Sequence, residues 1–175
     1  MSGLLRTGAD GAPDDVPSST TVVPPAFPGA VAPLAWPGTE PLEALLTVLG
    51  DASDAPTEVR SLATLPVLAS RGPGTDRVGR TAALLDGLPV ELGPHGWRLT
   101  DHEGSDAERA RAAWREDLDA LAIASVGWSG ELVVEAVGPW SLAASLWLAR
   151  GDRALSDAGA VSDLGAALAE SLARH

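Results

Sequence analysis

The chain has 175 residues, 24 of them acidic and 12 basic, for a formal charge of −12. It contains no Cys, which excludes disulfide scaffolds, thiol catalysis, iron–sulfur clusters and cysteine-ligated zinc. The acidic balance and 4% aromatic content argue against a basic nucleic-acid footprint or a base-stacking platform.

All 12 basic residues are Arg, and Lys, Tyr, Asn and Gln are missing too. That skew towards Ala, Gly, Asp, Arg and Pro matches a GC-rich coding bias and carries no functional signal. No run of 18 apolar residues marks a membrane-spanning helix. Met1 to Asp15 lacks the apolar core of a secretory signal. The expectation is a soluble, cytoplasmic α/β domain that binds neither nucleic acid nor membrane.

Eight of the 14 prolines fall in the first 41 residues, and residues 1–30 show no periodicity. They read as a disordered leader, with a folded domain over 31–175. Val31 to Trp36 reads as a short strand weakened by Pro33. Thr39 can cap a helix with Glu40 and Pro41 in its first turn, an apolar stripe at Leu42, Leu45, Leu46 and Leu49, and a stop at Gly50. Glu58 to Leu65 predicts a second strand, and Thr75 can cap a helix to about Asp86. Leu88 to Leu92 reads as a third strand and Pro94-His95-Gly96 as a turn.

Ser105-Asp106-Ala107-Glu108 has the form of a capping box, and a helix of roughly 20 residues should follow. Its apolar face is Ala110, Ala113, Trp114, Leu118, Leu121 and Ala122. Glu131 to Val137 alternates and predicts a strand ended by Gly138-Pro139. Trp140 to Ala149 and Ser162 to Arg174 predict two final helices.

Strands alternating with helices imply a parallel sheet. Four such β-α units are half of a (β/α)8 barrel, whose full length is about 250 residues against roughly 145 in this chain after the leader. An open half-barrel bares two sheet edges. The expectation is therefore a barrel fragment, one half of a dimeric assembly, or a smaller doubly wound sheet.

Ligands of parallel α/β folds bind at the carboxyl ends of strands. Four loops qualify: Trp36 to Thr39, Arg71 to Arg80, Leu92 to His95, and Gly138 to Ser141. Gly74 to Thr81 nearly matches a phosphate loop, with Arg80 in place of Lys. Its arginines can instead pair with Asp76 or Asp86, hold an anion at a helix N-terminus, or mark a small nucleotide-binding protein. His95, His102 and His175 lack metal-ligand spacing, and no Ser/His/Asp set assembles. Trp36 and Trp140 sit at presumed strand ends, to stack on a flat ligand or to plug a barrel mouth. Trp97 can cap a hairpin, while Trp114 and Trp147 suit helix core faces.

Several segments resemble one family in the same order. They are Trp36-Pro37-Gly38-Thr39, Ala69 to Asp76 with Val78 to Leu85, Leu88 to Leu92, Gly96 to Leu99, Asp117 to Leu121, Gly138 to Ala144, and Arg150 to Leu155. From about residue 31 onward the chain resembles the N-terminal half of actinobacterial cobalamin-independent methionine synthases. These belong to the methionine synthase and uroporphyrinogen decarboxylase-like barrel superfamily. The resemblance implies the N-terminal half of a TIM-type (β/α)8 barrel that moves a methyl group from methyl-folate to homocysteine, with the homocysteine thiolate activated by zinc.

The family's zinc ligands are His, Cys, Glu and Cys in its C-terminal half. Zinc is expected only where that half is present, this chain supplies no metal ligand or catalytic residue, and alone it is expected to be truncated and inactive. The substrate-binding residues the resemblance implies are Trp36, Thr39, Arg71, Asp76, Gly138, Trp140 and Ser141. Two places depart from the family. Leu34-Ala35 stands where the first strand usually reads Gly-Ser, and Val67 where the second tends to carry Glu. Both departures remove polar contacts to a zwitterionic substrate. The other expectation is a non-catalytic half-barrel that binds a partner or itself through its open sheet edges.

Overall fold

The computed structural model describes residues 29–174. The expected leader therefore lies outside the described residues up to Phe27-Pro28, and His175 does too. Gly29, placed by sequence inside the leader, already begins a strand.

The elements are β1 (Gly29–Val31), α1 (Pro41–Ser53), β2 (Arg60–Thr64), α2 (Arg77–Leu84), β3 (Val90–Gly93), β4 (Gly96–Leu99), α3 (Ser105–Ala124), β5 (Glu131–Val133), α4 (Pro139–Ser145) and α5 (Ala158–Ala173). The fold is mixed α/β, and the described residues close no barrel. Three strands form a parallel sheet in the order β1-β2-β5. Val31 pairs with Leu62, and Thr64 with Val133.

The third expected strand is not part of that sheet. Residues 90–93 fold back on 96–99 as an antiparallel hairpin, with Val90 opposite Leu99 and Gly93 opposite Gly96. Among the described residues the parallel sheet thus has three strands rather than four. The physical reason is local: two alternating stretches separated by Pro94-His95 close on each other at once, while a crossover needs a dozen or more residues.

Helix ends also depart from expectation. Asp76, not Thr75, caps α2, its carboxylate accepting from the N–H groups of Val78 and Gly79 at 2.9 and 3.0 Å. Thr75 instead turns inward and donates to the carbonyls of Leu68 and Gly72. Gly104 rather than a side chain stands at the N-cap of α3. Ser105 Oγ accepts from Arg109, and Asp106 reaches across to the N–H of Leu92 in the hairpin. Thr39 gives α1 no cap, and the helix runs past Gly50 to Ser53. The alternating stretch 131–137 is a strand only to Val133, and α4 stops at Ser145, leaving Trp147 outside any helix.

The core has two centres joined by α3, which at 20 residues is about 30 Å long. One centre packs α2, the hairpin, α4 and α5 around Leu85, Val90, Trp97, Leu142, Leu146 and Leu164. The other packs α1, β2 and the later turns of α3 around Leu45, Leu65 and Trp114, with Val48, Leu49 and Ala63 beside them. Ala107 and Ala110 of α3 serve the first centre, Trp114 and Ala120 the second.

The caps give a test. Asp76→Ala should cost about 1 kcal/mol, since it orphans two helix N–H groups, whereas Ser105→Ala should stay within about 0.5 kcal/mol. Urea unfolding of both variants checks this, and equal losses would contradict the assignment.

Candidate functional site

Two prolines shape the carboxyl end of the sheet. Neither Pro33 nor Pro66 has an N–H to give to a ladder, so pairing between the first two strands is interrupted there. It resumes where Ala35 bridges Val67, with the N–H of Val67 donating to Leu34 at 2.7 Å and that of Trp36 to Val67 at 3.1 Å.

Side chains serve the proline carbonyls. Thr64 Oγ1 donates to Pro33 at 3.0 Å, and Trp36 Nε1 donates to the same oxygen at 2.9 Å. The Arg80 guanidinium donates to Pro66 at 2.9 Å.

Arg80 is 5% exposed and lies over the Trp114 ring, 4.7 Å from its centroid. Its charge faces Asp117, also 5% exposed, at 3.6 Å. Arg71 completes the network by pairing with Asp117 and with Glu116. From the first turn of α2, Arg77 pairs with Glu135, which follows β5. Thr81 accepts from the N–H of Val137 at 2.9 Å, so α2 is tied to the exits of both β2 and β5.

Burial pushes the Asp117 carboxyl above its ordinary range, outweighing the pull of Arg80 and Arg71. Burial likewise lowers the Arg80 guanidinium, against the support of Asp117; Arg71 lowers it further and Glu135 raises it.

The residues expected to bind substrate lie on three loops at this end. Trp36 packs half-buried against the α1 and β2 core, and Thr39 is exposed beside it with its hydroxyl donating to Glu40 at 3.3 Å. Both line a groove of about 290 Å³ with Glu40 and Glu43. Arg71 is committed to the carboxylates of α3, and Asp76 to the cap of α2. Gly138 precedes α4, with Trp140 68% exposed and Ser141 exposed in its first turn. Trp140 therefore plugs nothing among the described residues.

The near-match to a phosphate loop has structural uses at each position. A Cβ on Gly79 would stand 2.6 Å from Gly74 Cα, and one on Gly74, where φ is +94°, 2.7 Å from Ala110 Cβ. The Asp76 carboxylate occupies the helix N-terminus where a phosphate would sit, and Arg80 is turned to the core. His95 lies in the hairpin turn with its ring 5.6 Å from that of Trp147. Among the described residues, no group of three or more His, Asp or Glu could hold a metal ion. No helix there is long and apolar enough to cross a membrane.

Sequence reasoning offered Arg80 a phosphate loop, an anion or a pairing with Asp76 or Asp86, none of which is its place in the core, and gave no role to Asp117, Thr64 or Glu135. The available signal was Asp117 itself, an acid on the same stripe as Ala110 and Trp114. Compared with family models, curated proteins and solved structures, the chain matches none.

The raised Asp117 pKa has a defined consequence. The folded state takes up this proton before the unfolded state as pH falls, so this contribution to stability is lost as pH rises through the folded pKa. Asp117→Asn cannot titrate. Urea midpoints across pH should show wild type losing ground to this variant as pH rises from the ordinary carboxylate range. A constant difference would contradict it.

Proposed function

We propose that the chain forms part of a methyltransferase barrel of the cobalamin-independent methionine synthase type, its first three staves being β1, β2 and β5. The observation that supports this reading is one of placement. The segments that carry the resemblance, around Trp36, Arg71 to Asp76 and Gly138 to Ser141, follow three adjacent parallel strands and share their carboxyl end. That is where a barrel of this kind builds its substrate mouth.

In this reading methyl-folate and homocysteine enter at that end, and the exposed Trp140 ring is free to stack on the flat methyl donor. The bridge between Ala35 and Val67 sets side by side the two positions at which the resemblance leads one to expect polar groups. A zinc site with two Cys ligands does not fit the residues present, since the sequence has none. These residues supply the mouth, not the metal centre.

A second reading is a half-barrel that binds a partner or itself and performs no chemistry. Its support is that β1 and β5 each pair only with β2 among the described residues, which leaves both outer edges open.

One sample separates the two. Adding methyl-tetrahydrofolate should quench tryptophan emission, with Trp140→Phe removing most of the change. Light scattering should show a monomer. No quenching, together with a stable dimer, would overturn the first reading in favour of the second.

A further inference from the structure

A groove of about 380 Å³ opens between the C-terminal end of α2, the middle of α3 and the last turn of α5. Its size is that of a small-molecule pocket, and no residue of the proposed substrate mouth lines it. The floor is apolar: Leu84 and Leu118, both half-buried, meet Trp114 there. Trp114 is 7% exposed and Arg80 lies over its ring, so the floor offers leucine side chains rather than an open ring face.

The rim is cationic. Arg111, Arg115 and Arg174 line it against one carboxylate, Asp86. Three of the chain's 12 arginines thus converge on one groove of a protein whose net charge is −12. Arg111 and Arg115 stand one turn apart on α3 and share a face. The Arg111 Nε–H donates to the Ala83 carbonyl at 3.1 Å, which fixes that guanidinium at the end of α2, and its outer nitrogen pairs with Glu103 at 2.8 Å. Arg174 pairs with Asp86 and with Glu170. Arg115 is exposed, and its guanidinium makes no hydrogen bond or ion pair among the described residues.

An uncommitted guanidinium beside a fixed one, above leucine side chains, is the complement of an anionic head on an aliphatic body. We propose that this groove binds a free monocarboxylate with an alkyl chain, its head on Arg115 and Arg111 and its chain along Leu84 and Leu118. A neutral alkyl compound leaves Arg115 to water and gains only apolar burial. A flat aromatic anion finds no open ring face to stack on. The site is built from the helical layer, not from the strand exits, and stands or falls separately from the methyltransferase reading.

Isothermal titration of the whole chain tests the site with octanoate, octan-1-ol (the same body without the charge) and butanoate (the same head on a short body). Octanoate should bind more tightly than either by about tenfold or more. Arg115→Gln should weaken octanoate binding to a similar degree and leave the circular dichroism melt unchanged, because that side chain holds nothing in the fold. Arg150→Gln removes the same charge from an exposed position outside the groove and should leave octanoate binding as in wild type. No octanoate binding, equal binding of octanoate and octan-1-ol, or equal effects of the two Arg variants would each overturn the site. Displacement of octanoate by methyl-tetrahydrofolate would make the groove a folate site and overturn its assignment to an alkyl carboxylate.

Discussion

Two missing N–H groups organise the working end of this protein. Pro33 and Pro66 cannot donate, so the ladder between β1 and β2 breaks at the point where the chain leaves the sheet. The Pro66 carbonyl is then served by Arg80 from inside the core. A buried guanidinium is expensive unless paired. Asp117 is therefore fixed opposite it, and Arg71 completes the neutralisation of Asp117. A break in one ladder thus leads, through the cost of burying charge, to a loop pinned against α3.

The rest of the layout follows from that pin. With Arg71 held on α3, the loop from Gly72 to Asp76 passes close enough to touch Ala110, and only glycine fits at Gly74. Its close approach to Gly79 starts α2 at a defined angle, and Thr81 then fixes the segment after β5 through Val137. The exits of β2 and β5 are held by side chains of one short helix, so two of the three loops that carry the resemblance are tied to the same element. The exit of β1 is held separately, by Thr64 and Trp36 on Pro33.

Much of this is legible in the sequence wherever one local signal dominates. The apolar spacing of α3 predicts its length, and the Val-rich run after Gly130 predicts β5. The hairpin is harder, because Leu88 to Leu92 taken alone has the composition of a buried parallel strand. Only the second stretch after Pro94-His95, with Trp97 and Leu99 alternating, reveals the pairing. The caps at Asp76 and Gly104 are hidden because Thr75 and Ser105 are equally good capping residues, and tertiary contacts decide between neighbours. Arg80 and Asp117 are the least legible. A charged residue reads as surface, and 37 residues of sequence separate partners that the fold brings together.

The central claim is that Arg80 and Asp117 act as one unit beneath the β2 exit. A double-mutant cycle with Arg80→Met and Asp117→Leu, followed by urea unfolding, tests it directly. Asp117→Leu alone strands buried guanidinium charge and should cost about 3–5 kcal/mol, while the double variant should recover a large part of that loss. Losses that simply add would show that the two residues stabilise the fold independently, and would contradict their acting as a unit.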